Sequence, residues 1–227
     1  HRPPHEATMN TAFEPTRVTA DSGVAEVIVL DECHSTNTTA LQRLTNQTVC
    51  LPSVLVTECQ TAGRGRGNHD WFSTGGSLTF SVTYDFSPMQ QKDVSVVALA
   101  TGISVAQVLE TLVGDVNSNA IQLKWPNDVY LRDKKLGGIL IESSATQPTQ
   151  LVIGIGLNIN NSLKTAPAGI SATGIAITDA TQTTHNLEDL LVLLLNQLDK
   201  NFSLLKSKQL DISTLWNSRC MLNHSDI

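Results

Sequence analysis

The chain has 227 residues, 41% of them hydrophobic and 16% charged, and a formal net charge of −6. That length holds one substantial domain with a small appendage, and the balance is that of a soluble globular protein. The acidic total and an aromatic content of 4% speak against a nucleic-acid surface, the longest apolar run, at 190–195, is far short of a bilayer span, and four cysteines without C-x-x-C spacing offer no zinc site or redox pair.

Residues 1–26 are polar and proline-punctuated and read as an N-terminal extension. They carry no secretory signal. Their few arginines and the lack of an amphipathic helix favour the cytoplasm over the mitochondrion. In that setting thiols stay reduced. The five Asn-x-Ser/Thr sequons, at Asn37, Asn46, Asn160, Asn201 and Asn223, then read as accidents of composition. A strand at 27–30 leads into a helix at 36–46, with Ser35 at its N-cap.

The apolar run 54–58 is a strand that opens into Gly63-Arg64-Gly65-Arg66-Gly67-Asn68-His69-Asp70-Trp71. Three glycines in five residues free this backbone to curl. The two arginines between them carry the planar fork that fits phosphate and carboxylate. The stretch reads as a basic surface loop or as a lid over an anionic nucleotide. It is not the G-x-G-x-x-G fingerprint, because Asn68 stands at the third glycine position, and no Gly-Lys-Ser/Thr of a P-loop occurs.

A strand at 77–84 precedes a helix at 94–113, whose apolar residues, among them Val97, Ala100, Ile103 and Leu109, form a broad stripe. A three-strand meander follows. Residues 121–125 meet a Pro126-Asn127-Asp128 turn. Residues 129–132 come next, then 136–142, which carries Gly137-Gly138 shortly after Lys135. Paired glycines let a ligand approach the backbone closely. The run 152–160 is a buried strand with small residues at Gly154 and Gly156 and the amide of Asn158 near its end. A Thr/Ala/Gly-rich linker at 161–184 leads to a helix at 187–205, capped by Asn186 or Thr184. Ordinary turn chemistry and core packing account for most of these features taken singly, but not for Lys135 standing just before the Gly137-Gly138 pair.

Taken together, they resemble a known family. Ser35-Thr36-Asn37, the run Gln60-Thr61-Ala62-Gly63-Arg64-Gly65-Arg66-Gly67 with Trp71, Lys124-Trp125-Pro126-Asn127-Asp128, Lys135-Leu136-Gly137-Gly138-Ile139-Leu140-Ile141-Glu142 and Gly154-Ile155-Gly156-Leu157-Asn158 resemble, in this order, the catalytic domain of biotin protein ligases. The resemblance covers residues 28–206. It implies an α+β fold, a mixed β-sheet packed with helices, of the class II aminoacyl-tRNA synthetase-like biotin/lipoate ligase type. The catalytic domain would take residues 27–206, and 207–227 would be the start of a C-terminal subdomain that is truncated or absent.

The resemblance also implies a reaction. Biotin is activated with ATP to biotinyl-5′-AMP and passed to a lysine of a biotin carboxyl carrier domain of a biotin-dependent carboxylase. Mg2+ accompanies the ATP, with no dedicated carboxylate cage in the sequence. By resemblance Lys135 is the central catalytic residue, Arg66 keeps the intermediate from escaping, and Asp128 orients or deprotonates the incoming lysine. Ser35, Thr36, Gln60, Gly63, Arg64, Lys135, Gly138 and Gly154 fall in the biotin site. Arg64, Arg66, Trp71, Lys124, Asn127 and Asn158 fall to the nucleotide, with Trp71 folding over the adenine.

Two departures qualify the match. Gly67-Asn68-His69-Asp70 stand where many bacterial members have more arginines, and the small β-barrel usual after the long helix has no counterpart in 207–227. A winged-helix domain has no room before residue 27, so neither a repressor role nor a nucleic-acid or membrane partner is expected. A homodimer formed by pairing sheets is compatible with the family. The alternatives are a lipoate–protein ligase, which shares the fold but carries an arginine pair before a run of glycines, and a non-catalytic biotin-binding module, against which Lys135 and both loop arginines stand.

Overall fold

The computed structural model describes residues 13–67, 69–89, 93–114, 120–144 and 146–224. Residues 1–12 of the N-terminal extension and Asn68 of the glycine-arginine loop lie outside the described residues. In chain order the elements are α1 (Pro15–Ser22), β1 (Glu26–Cys33), α2 (Thr36–Thr45), β2 (Ser53–Gln60), β3 (Ser77–Asp85), α3 (Val94–Val113), β4 (Ile121–Lys124), β5 (Asp128–Leu131), β6 (Lys134–Ser143) and β7 (Gln150–Asn158). Then come α4 (Ala168–Thr173), α5 (Ile177–Thr181), α6 (Leu187–Lys206) and α7 (Ile212–Asn217). The strands form one seven-stranded sheet in the order β1-β2-β3-β7-β6-β5-β4. β1 and β2 run parallel and every other neighbour is antiparallel, giving the expected mixed sheet.

Strand β3 shows how the sequence divides the two faces. Leu78, Phe80, Val82 and Tyr84 alternate with Ser77, Thr79, Ser81 and Thr83, and all eight are buried. Because side chains point to opposite faces with period two, one face is apolar and the other is lined with hydroxyls. The apolar face joins Leu151, Ile153, Ile155 and Leu157 of β7 in the main core, beneath α3 and α6. The hydroxyl face lies under α2. On that second face β7 presents Val152, which packs on Ala40 and Leu44 of α2, then Gly154, Gly156 and Asn158. The fold therefore has a greasy side that stabilises it and a polar side that holds the site.

The helix caps follow from local chemistry. The Asn186 side chain accepts from the backbone N–H groups of Glu188 and Asp189, so Asn186 and not Thr184 caps α6. α3 is apolar and long enough to cross a membrane by length and composition alone, and more than half of that stretch is buried inside the fold. It is the central core helix, packed between the sheet, α6 and α7.

The described segments near both ends pack on the domain, which moves its N-terminal boundary ahead of residue 27. From residue 13 on, the supposed extension belongs to the domain: Phe13, Val18 and Val24 are in the main core, and Arg17 pairs with Glu188 and Asp189 on α6. The signal was present, since α1 opens with Pro15 and closes on Gly23 at φ +69°. At the other end, residues 207–222 pack against the domain. Trp216 packs on the main core, Arg219 pairs with Glu110 on α3, and Leu123 N–H donates to the Arg219 carbonyl at 2.8 Å along the edge of β4.

Candidate active site

A cleft of about 620 Å3 opens on the polar face of the sheet, within the size range of small-molecule sites. Its floor is the hydroxyl and glycine face of β3 and β7, with Thr79, Gly154, Gly156 and Asn158. β5 and β6 supply Asp128, Tyr130, Lys135 and Gly138 on one side. The N-terminus of α2, the end of β2 and the 64–72 stretch supply the other.

At the α2 end the polar groups are tightly organised. Gln60 Oε1 accepts from Thr36 N–H at 2.7 Å and from Thr36 Oγ1 at 3.1 Å. Ser81 Oγ lies 2.7 Å from Thr36 Oγ1 and 2.6 Å from Asn37 Oδ1. Asn37 Nδ2 donates to the Leu140 carbonyl and to Glu142 Oε2. Ser35 stands at the N-cap of α2, yet its side chain makes no capping bond; it lines the cleft instead. Gly154 is required here, because a Cβ would collide with the Asn37 amide.

At the other end, Lys135 Nζ lies 2.7 Å from Asp128 Oδ1, with the lysine side chain 40% exposed. A turn and a bulge bring them together. Arg132 and Asp133, at φ 49° and 64°, make a two-residue hairpin turn between β5 and β6. Asp128 then pairs with Gly138 and Val129 with Gly137, but Tyr130 pairs with Lys135. Leu136 is the extra residue, a β-bulge whose side chain drops into the core. The bulge resets the alternation, so Lys135 and Gly138 face the cleft together. Of the glycine pair, only Gly138 serves the cleft. Gly137 packs against β7, where a Cβ would stand 2.6 Å from the Gly156 carbonyl.

The glycine-arginine stretch is a small hairpin. Trp71 N–H donates to the Gly63 carbonyl at 2.9 Å, Gly65 N–H to the His69 carbonyl at 2.7 Å, and Arg64 bridges to Asp70. Gly67 alone of its glycines takes the left-handed conformation, at φ +67°. The Trp71 ring lies on Gly156, where a Cβ would stand 2.7 Å from Nε1. That Nε1 is buried and has no hydrogen-bond partner.

Twelve of the expected site residues line the cleft: Ser35, Thr36, Gln60, Arg64, Arg66, Trp71, Asn127, Asp128, Lys135, Gly138, Gly154 and Asn158. Two do not. Gly63 sits behind the hairpin as its closing point, hemmed in by Trp71 and by Gln60 Nε2. Lys124 turns to Tyr130, its ammonium 5.6 Å over that ring. A third changes character: Arg64 is engaged with Glu142 and Thr38, which makes it an anchor for the hairpin. Asn37, Tyr130 and Gly156 were missed as site residues, although the Gly154-x-Gly156 parity marks Gly156. Ile170, Thr173 and Gly174 close the cleft from the supposed linker, where Ile175 N–H donates to the Lys135 carbonyl at 3.0 Å. Their short helix left no periodic signal.

A family model for the biotin/lipoate A/B protein ligase family matches residues 29–160, more than half of the chain. The chain belongs to that family. The bifunctional ligase/repressor BirA of Salmonella typhimurium is 38% identical over 141 residues, which is 61% of this chain and 42% of that protein. The biotin–[acetyl-CoA-carboxylase] ligase of Mycobacterium tuberculosis is 36% identical over 141 residues, 62% of this chain and 52% of that one. The matched stretch thus spans about half or less of these relatives. Among solved structures, the biotin protein ligase from Aquifex aeolicus in complex with biotin and ATP superposes with a TM-score of 0.71 at 29% identity. That match covers 87% of this chain and 79% of the Aquifex chain. The seven-stranded mixed sheet and its helices are thus those of the biotin/lipoate ligase fold.

Proposed function

We propose that this chain is a biotin–protein ligase, activating biotin with ATP and transferring the biotinyl group to a lysine of a carrier domain of a biotin-dependent carboxylase. The observation that carries the reading is the polarity of the cleft. An amide-hydroxyl set (Ser35, Thr36, Gln60) occupies one end and the Lys135–Asp128 pair the other, with Arg66 at the mouth. The first end suits a neutral ring that both donates and accepts. The second suits a carboxylate meeting a phosphate.

In the first step a biotin carboxylate oxygen attacks the α-phosphorus, the bond to the β-phosphate oxygen breaks, and pyrophosphate leaves. Both reactants are anionic. A lysine fixed between them offsets their repulsion and stabilises the charge that develops on phosphorus. Lys135 is held in place by Asp128 before either anion arrives. In the second step the acceptor amine attacks the acyl carbon, the carbon–oxygen bond breaks, and AMP leaves while the amine loses a proton. Asp128, released as Lys135 turns to the phosphate, is the carboxylate within reach of that amine. The mixed anhydride must be kept from water, which the 63–71 hairpin and the 168–174 segment achieve by walling the cleft. Among the described residues no group of three His, Cys, Asp or Glu side chains could hold a metal ion. Mg2+ would accompany the nucleotide, organised mainly by its phosphates.

Pyrophosphate exchange tests the reading: the chain with Mg-ATP and labelled pyrophosphate, plus biotin in one tube and lipoate in another. Biotin-dependent exchange is expected. Exchange with lipoate alone would transfer the assignment to lipoate activation. No exchange with either acid, together with tight biotin binding in calorimetry, would reduce the chain to a binding module.

A further inference from the structure

An exposed aromatic stands next to the residues that line the cleft. Trp125 is 62% exposed, and the guanidinium of Arg66 lies over its ring, 5.8 Å from the centroid. The two residues come from opposite walls. Arg66 is near the tip of the 63–71 hairpin, and Trp125 lies between β4 and β5, next to the Pro126-Asn127-Asp128 stretch that lines the cleft. We propose that Trp125 is a positioning residue: it latches the hairpin tip across the mouth and presents the Arg66 fork edge-on to the anion below. The inference rests on the adenylating reading above and gives that site a gate.

The physical basis is that a guanidinium has two kinds of surface. Its face stacks on an aromatic ring, and its edge carries the N–H donors. An ion pair would occupy those donors, as Glu142 and Thr38 do for Arg64 at the hairpin root. Stacking leaves them directed outward, available to a phosphate. The hairpin is thus held at two places by different means: at its root by a charged hydrogen bond, and at its tip by a contact that leaves the arginine chemically available. A second cation–aromatic contact lies one residue away, where the Lys124 ammonium stands over Tyr130. The exposure of Trp125 follows from this role, because a ring turned into the core would be out of reach of the hairpin.

The test compares Trp125→Ala, Trp125→Phe, Arg66→Ala and the double variant Arg66→Ala/Trp125→Ala in the full chain. The first readout needs no activity: trypsin cleavage after Arg64 and Arg66 in the ligand-free protein. Trp125→Ala should be cleaved about two- to fivefold faster than the parent, the range set by an exposed cation–π contact. Trp125→Phe should stay close to the parent. The second readout is free biotinyl-5′-AMP released into solution. Trp125→Ala should leak more than the parent, and the double variant should leak no more than Arg66→Ala alone, since the two act through one contact. Unchanged cleavage in Trp125→Ala, a Phe variant as loose as the Ala variant, or leak factors that multiply would each overturn the latch. If the parent chain forms no adenylate at all, the functional reading fails, and the trypsin comparison alone decides the latch.

Discussion

Gly154→Ala is the sharpest probe of how the floor of the cleft is built. An added Cβ would collide with Asn37 Oδ1 and stand 2.9 Å from Asn37 Cγ. Asn37 cannot swing aside cheaply. It is buried in the first turn of α2 and its amide is bonded to Ser81 Oγ, the Leu140 carbonyl and the Glu142 carboxylate. Breaking two neutral bonds and one to a charged group, less the gain from a stiffer unfolded chain, destabilises by about 2–5 kcal/mol. For a chain of this length that lowers the melting temperature by roughly 4–20 °C. The same displacement moves the start of α2, so biotin affinity should fall together with stability. The control is Gly138→Ala. There the new methyl would find only ordinary contacts, 3.8 Å from Asp128 Oδ1 and 3.9 Å from Lys135 Cε. Its stability should stay within about 0.5 kcal/mol of the parent, while a methyl beside Lys135 obstructs the ligand. Urea unfolding and titration calorimetry on both variants check this. A Gly154→Ala protein with parental stability and biotin affinity would refute the account of the floor.

Three further outcomes are expected. Lys135→Ala should slow biotin-dependent pyrophosphate exchange by about 10²–10³-fold. Its unfolding free energy should drop by no more than about 1 kcal/mol, because the pair with Asp128 is part-exposed; a large stability loss with little rate loss would make the lysine structural. Burial, with the nearby charge of Asp199 adding to it, holds the Tyr84 hydroxyl well above its ordinary value. The unfolded chain ionises from about pH 10 while the folded one does not. Stability is therefore flat below that pH and falls above it, by at most about 1.4 kcal/mol per pH unit for this group. Tyr84→Phe should flatten that alkaline slope in urea midpoints taken between pH 9 and 11, and an unaltered slope would contradict the assignment. Asn186→Ala removes the acceptor for two backbone N–H groups at the start of α6, and chemical denaturation should register a loss of about 1 kcal/mol.

What the sequence by itself determined is the chemistry and the division of faces. Alternation in β3 and β7 announces one apolar and one small or polar face, since strand side chains obey a period of two whatever the rest of the chain does. The glycine-arginine run, the Lys124–Asp128 string and the Lys135–Glu142 string carry the family resemblance on residue identity alone. Helices α2, α3 and α6 were legible because they are long and periodic; α4, α5 and α7 were not, and α1 had only its Pro15 and Gly23 punctuation, because a helix of five to eight residues shows too few turns to reveal a stripe. Tertiary structure decided the rest. Simple alternation from Gly138 would turn Lys135 toward the opposite face, and only the bulge at Leu136 returns it to the cleft. Arg64 and Arg66 look equivalent in sequence, yet Glu142, 78 residues away, claims the first and Trp125 supports the second. The wall at Ile170–Gly174 exists only because that segment lies against Lys135. Each of these depends on a partner distant in sequence, and local propensity holds no record of it.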